Sequence, residues 1–318
     1  MSDAAFAARA KWLRLIRVLG SFVLPAAVLT AIWVIVRTSP ASLSTVHLNL
    51  PLVLLSFAVE CSGLLIAIPI WHKILAAFGV RQRLADDVRI YCYSALGLIL
   101  PGGIWSIVSR STLYQRIGAN GLRVATASVV ETLLIGVAAV LLYVIVGLFQ
   151  PGLVLFRQPV VAYLLAAGSL ILVYPGVFNR LSRWAIRRLG RGTELVAVNF
   201  GMGELWTWIA SEVIVTFIGG LAVYVLIKSL GDVTNSLVLP VLAAWAAASA
   251  ASNLLFWVPG TPLIRDGAMV AALTLVMPLP IAIIFVGLQR IWTIMSLLLL
   301  AAIVWLVLDR SIGTLSLC

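Results

Sequence analysis

Leu98-Ile-Leu-Pro-Gly-Gly-Ile-Trp-Ser-Ile-Val-Ser-Arg110 is an apolar run broken by Pro101, Gly102 and Gly103 and closed by an arginine among hydrophobic residues. In hydrocarbon every backbone N–H and C=O needs a partner. Irregular backbone at membrane depth is therefore tolerated only where protein covers it or where it lines a cavity. An arginine there is costly and by default marks a functional site. A second stretch repeats the pattern: Trp257-Val-Pro-Gly-Thr-Pro-Leu-Ile-Arg-Asp266, with its break at Pro259 and Gly260. The two stretches are expected to be halves of one site.

Working outward, 63% of the 318 residues are hydrophobic and 10% charged, with a mean hydropathy of +1.13. Those values exclude an ordinary soluble domain. The expected fold is an all-α polytopic membrane protein forming one transmembrane domain over residues 1–318. Uninterrupted apolar runs predict six full spans, near Leu15–Val36, Leu50–Trp71, Val124–Phe149, Pro159–Phe178, Glu204–Leu230 and Pro280–Leu308. Two further apolar regions, Val88–Ile117 and Leu237–Met277, are interrupted by Pro-Gly. The first run is too long for a signal-peptide core and reads as a retained helix.

The net charge of +11 does not require nucleic acid. With both termini cytoplasmic, basic residues collect in the inner segments, leaving only Arg37, Arg157 and Lys228 outside and Arg110, Arg265 and Arg290 in apolar surroundings. That is the positive-inside pattern. Cys61 and Cys92 lie in apolar segments and Cys318 is terminal, so neither a disulfide framework nor a cysteine metal site is indicated. No cofactor or metal is expected.

Val88–Leu100 would reach only about 20 Å as a helix, against roughly 30 Å of hydrocarbon. The spacing predicts a re-entrant hairpin that turns at Pro101–Gly103 and returns over Ile104–Ile117. The arm after Pro262 is equally short, whereas the arm before Pro259 could span alone. Arg110 precedes Glu131 by 21 residues, so the two can pair if the returning arm packs on the following span, and Asp266 precedes Arg290 by 24. Such a pair reads either as a plain buried ion pair or as part of a site. Glu60 shares a helical stripe with Ser56, Gly63 and Ala67, and so faces the bundle interior as a packing residue or as part of a polar path. Glu204, Trp208 and Glu212 form another stripe, with Glu212 the deeper acid. Asn179–Gly192 alternates arginines with apolar residues, as an interfacial amphipathic helix or a simple topology signal does. It opens a basic cytoplasmic linker over about 179–203.

The two halves, about 50–149 and 204–308, each read as span, interrupted pair, and span with a buried charge. Their hairpins would enter from opposite sides, and inverted repeats with broken helices point to a transporter site near the midplane. Leu100-Pro-Gly-Gly-Ile-Trp-Ser-Ile-Val-Ser-Arg110, Tyr114-Gln-Arg-Ile-Gly118, Glu131, Pro259-Gly260, Arg265-Asp266 and Gln289-Arg290 together resemble the flippase-like membrane domain associated with lysylphosphatidylglycerol synthases, in its stand-alone form. The resemblance implies lipid translocation in a bacterial or archaeal plasma membrane, without the soluble synthase domain. On this reading Arg110, Arg265 and Arg290 would bind a lipid phosphate, anionic or polyprenyl-linked. Glu60, Glu131, Glu212 and Asp266 would balance charge or carry protons. The expected partners are membrane lipids and a lipid-biosynthesis enzyme. No nucleotide-binding glycine loop is present. A polyprenyl-phosphate-dependent glycosyltransferase is the enzymatic alternative. The early external loop Thr38–Asn49 lacks acidic residues, however, and Asp86-Asp87 is adjacent and placed in the cytoplasm. A non-transporting scaffold of a lipid-modifying complex is the third class, and intramembrane arginines weigh against it.

Overall fold

The computed structural model describes residues 49–100, 104–150, 167–168, 171, 174–189, 200–231, 235–258 and 260–309. Among them the chain forms α1 (Leu50–Ala77), α2 (Leu84–Ala95) with a 3-10 turn at Leu96–Ile99, α3 (Trp105–Arg116), α4 (Gly121–Phe149), α5 (Pro175–Leu189), α6 (Met202–Lys228), α7 (Val238–Leu254), α8 (Thr261–Leu273) and α9 (Leu279–Val304). Five helical stretches are long and apolar enough to cross a membrane: Leu50–Ala77, Gly121–Phe149, Met202–Lys228, Asn235–Leu254 and Leu279–Leu308.

Local chemistry sets the boundaries. Asn49 opens α1 by accepting a hydrogen bond from the Leu52 N–H at 3.3 Å, and Pro51 occupies the first turn, where a missing N–H costs nothing. Asn120 opens α4 by accepting from the N–H groups of Leu122 and Arg123 at 3.0 and 3.2 Å. Gly260 precedes α8 with φ of 87°, a left-handed backbone that favours glycine. Pro262 follows in the first turn.

Four of the six predicted spans coincide with observed helices. Leu15–Val36 lies outside the described residues, as does most of Pro159–Phe178, whose last four residues belong instead to α5. The fifth long helix is the first arm of the second interrupted region. With the 3-10 turn at Asn235–Leu237 it runs 20 residues, about 30 Å, which is enough to cross alone. The two interrupted regions are thus unequal. In the first, both arms are 12-residue helices; in the second, 17 residues are followed by 13. The turns at Pro101, Gly102 and Gly103 and at Pro259 lie outside the described residues.

The central column is α4, with 61% of its most apolar window buried against 28% for α1. It packs against α3, α6 and α7, while α1 lies along α6 and α7 along α8. One end of the bundle gathers the C-terminus of α1, the start of α2, the end of α3 and the start of α4. Phe78 meets Phe200 there, and Arg89 donates to the Leu308 carbonyl at 2.8 Å. Arg81, Arg83, Arg116 and Arg123 lie at that end. At the opposite end the Asn49 N–H donates to the Ser229 carbonyl at 2.8 Å. The apolar core is divided accordingly. A cluster around Trp71, Leu75, Tyr114, Val130 and Leu205 fills the arginine-rich end, and one around Val223, Ala244, Met269 and Phe285 fills the other.

The two arms of the first interrupted region meet at Gly97, where a Cβ would lie 2.9 Å from backbone atoms of Trp105 and Ser106. Gly97→Ala should therefore destabilise the protein by about 1–3 kcal/mol, because backbone rather than a flexible side chain must move. Gly267→Ala, in α8 with nothing within 4 Å, should be neutral or stabilising. Thermal unfolding of both variants in one detergent checks the contrast.

Candidate functional site

Between the two apolar clusters lies a cavity of about 330 Å³, within the size range of small-molecule sites. Its walls include Glu60 of α1, Arg110 of α3, Glu131 of α4, Glu212 of α6, Arg265 of α8 and Arg290 of α9. Six of the seven charged residues singled out in the sequence therefore meet in one space, and the seventh, Asp266, accepts from Arg290 at 2.8 Å. Gly260 stands at the head of α8 and outside the lining.

Arg110 is only 6% exposed and is held from four directions. Its guanidinium donates through Nη1 to Glu131 Oε2 and through Nε to Ser94 Oγ at 3.1 Å. Its Cζ lies 4.3 Å from the ring centroids of both Trp71 and Tyr91, which are 6.5 Å from each other and so approach it from adjacent directions. Aromatic contact suits arginine because the guanidinium is planar and weakly hydrated. The network then runs outward: Trp71 Nε1 donates to Tyr114 Oη at 2.8 Å, Tyr114 donates to Asp87 Oδ1 at 2.5 Å, and Asp87 Oδ2 pairs with His72 Nδ1. Asp87 is fully buried at the arginine-rich end of the bundle. The chain folds α2 onto α1 and α3, and the carboxylate is enclosed because His72 and Tyr114 satisfy it.

The other charges are less constrained. Among the described residues, Arg265 has neither a hydrogen-bond acceptor nor an ion-pair partner, and its Nη2 is buried and unpartnered. Its guanidinium stacks 4.8 Å from the Trp245 ring. Gly219 lets that ring approach, since a Cβ there would meet the indole at 3.0 Å. Glu212 is 1% exposed and its Oε1 has no partner, and the same is true of Glu131 Oε1. Glu60 is half-buried and unpaired among the described residues. Glu204, the other acid of the Glu212 stripe, is exposed at the helix start, where it accepts from the Gly201 N–H at 3.4 Å.

The polar lining has apolar edges. Leu98 lines the cavity and is itself exposed. The neighbours of lining residues Ser106, Phe256 and Pro262 are the exposed side chains Trp105, Trp257 and Leu263. Trp71, Tyr91, Ser94, Tyr114 and Trp245 complete the first contacts of the arginines and are absent from the sequence-based set. An aromatic near the end of each apolar stretch was their only signal. No family model matches the chain, and neither a curated protein nor a solved structure matches it significantly.

Removing one partner of the Arg110–Glu131 pair strands a buried charge. Arg110→Met and Glu131→Leu should each lower stability by about 3–5 kcal/mol, and Arg110→Met/Glu131→Leu should recover much of the loss. Melting temperatures of the four proteins in one detergent check this; simple additivity would show that the two charges act independently.

Proposed function

We propose that the chain is a lipid translocase, moving a phosphate-bearing lipid through the cavity between the two interrupted regions. The observation that carries this reading is a charged, half-open cavity whose edges are exposed apolar side chains on both interrupted regions. A headgroup needs polar walls, whereas its acyl chains must remain in hydrocarbon, and an edge of Leu98, Trp105, Trp257 and Leu263 suits them. A cavity for a small ion would have no use for such a rim.

Arg265 is the first anion contact on this reading. Among the described residues it is the cavity guanidinium without a carboxylate partner, and Trp245 holds it in place. It lies in the second turn of α8, whose N-terminal end favours anions. Arg110 and Arg290 are answered by Glu131 and Asp266, and would reach a phosphate only by exchanging those partners. The first interrupted region is a re-entrant hairpin entering from the arginine-rich, cytoplasmic end, and the second enters from the other side. Two inverted halves then meet near the midplane, an arrangement that serves alternating access. The arginines and Trp184 of α5 lie at the cytoplasmic interface of a bacterial or archaeal plasma membrane. Lipid gradients, protons or a biosynthetic partner enzyme would drive the movement, and the resemblance to the flippase-like domain agrees with it.

Arg265→Ala should slow translocation of fluorescent phosphatidylglycerol in reconstituted vesicles about tenfold, the worth of one charge-assisted contact, with little change in melting temperature. Unchanged translocation would remove Arg265 from the site. Cysteines placed at Trp105 and Thr261 should react only partly with impermeant reagents from either side. Full external reactivity at Trp105 would rule out entry of the first hairpin from the cytoplasm.

A further inference from the structure

Four carboxyls and three guanidiniums converge on the cavity. Glu131 answers Arg110 and Asp266 answers Arg290. Glu60 is only half-buried and lines the cavity together with the unpaired Arg265. Glu212 is the acid left over. It is 1% exposed, its Oε1 has no hydrogen-bond partner, and its charged neighbours are Glu131 and Arg110, already joined to each other. An isolated charge in such a place costs several kcal/mol, so an unanswered carboxyl needs a cation of its own.

We propose that Glu212 is a proton-binding site in the membrane interior, and that its loading and unloading couple lipid movement to a proton gradient. The inference rests on the translocase reading above and names its co-substrate. A proton is the cation that fits. A sodium or divalent ion would need several converging oxygens. Among the described residues no group of three or more His, Cys, Asp and Glu side chains could hold a metal, and the Thr216 hydroxyl beside Glu212 is engaged with the Glu212 carbonyl at 2.8 Å.

The ionisable groups around Glu212 define how the coupling works. From the helices around the cavity these are Glu60, Tyr91, Arg110, Glu131, Arg265, Asp266 and Arg290, while α7 brings none. With a proton on Glu212, three carboxylates balance three guanidiniums and the empty cavity is neutral. When the proton leaves to bulk water, the Glu212 carboxylate competes with Glu131 for Arg110. Arg110 belongs to α3, whose buried residues are Arg110 and Tyr114 alone. Moving its guanidinium between two carboxylates therefore moves an arm that the apolar core barely holds. The step is an acid–base exchange with water, and no bond other than O–H forms or breaks.

The test uses the full chain in vesicles of phosphatidylcholine and phosphatidylglycerol, with fluorescent phosphatidylglycerol as probe and the membrane potential clamped. With one proton per lipid, a gradient of one pH unit should shift the steady-state ratio of probe between leaflets about tenfold. Glu212→Gln should hold that ratio at unity whatever its rate. Glu212→Asp should restore a shift, and Glu204→Gln, outside the cavity, should behave as the parent. A lumenal pH dye should also report proton movement with the probe in the parent protein, a readout independent of how the variants fold. Lipid movement with a ratio of unity and no proton signal in the parent would overturn the coupling and leave the translocase intact. A Glu212→Gln protein that still follows the gradient would overturn the assignment to Glu212. No lipid movement under any gradient would overturn the translocase reading itself, and the coupling with it.

Discussion

A guanidinium enclosed in an apolar interior must be answered from every side, and the structure is arranged around that requirement at Arg110. Glu131 supplies the opposite charge, Ser94 the second acceptor, and Trp71 and Tyr91 the aromatic contacts. These four residues come from α1, α2 and α4, so one side chain on α3 ties four helices together. The Trp71–Tyr114–Asp87–His72 chain extends the tie toward the arginine-rich end of the bundle.

The division of the core follows from the same requirement. Apolar side chains close the bundle at both ends, and the charges occupy the space between. The long helix α6 contributes to both regions, and the far end of α4 packs on α7 in a third, smaller cluster. The arm α3 adds Arg110 and Tyr114 as its buried residues, with Ile107 and Leu113 half-buried against the core.

The candidate site was legible in the sequence to the extent that membrane energetics is unforgiving. Charges are rare in apolar runs, so Glu60, Arg110, Glu131, Glu212, Arg265 and Arg290 stood out, and the structure lines one cavity with all six. The spacing of 21 residues anticipated the Arg110–Glu131 pair, because a short helix lies against the span that follows it, whereas the Asp266–Arg290 pair was not foreseen. The burial of Asp87 was not legible, because it stands among Arg83, Arg89 and Asp86 in a charged stretch. Its burial depends on His72 and Tyr114, which are 15 and 27 residues away. The second region's longer first arm was only partly legible, because a 3-10 turn at Asn235–Leu237 adds length that hydropathy does not register.

The sequence by itself determined the solvent and the periodicity. Its apolar content requires helices that satisfy their own backbone, its basic residues mark one end, and its Pro-Gly breaks mark where two helices stop short. Only the tertiary structure decided which charges are answered. Arg110, Arg265 and Arg290 are alike as single letters in apolar runs, yet two have carboxylate partners and one has an indole face. The same holds for the break at Pro101–Gly103 that announced the first hairpin: what gives it meaning is Arg110, fixed beyond it by Glu131. That distinction is made by distances between helices remote in the chain, because pairing in a low-dielectric interior is decided by geometry over a few ångströms.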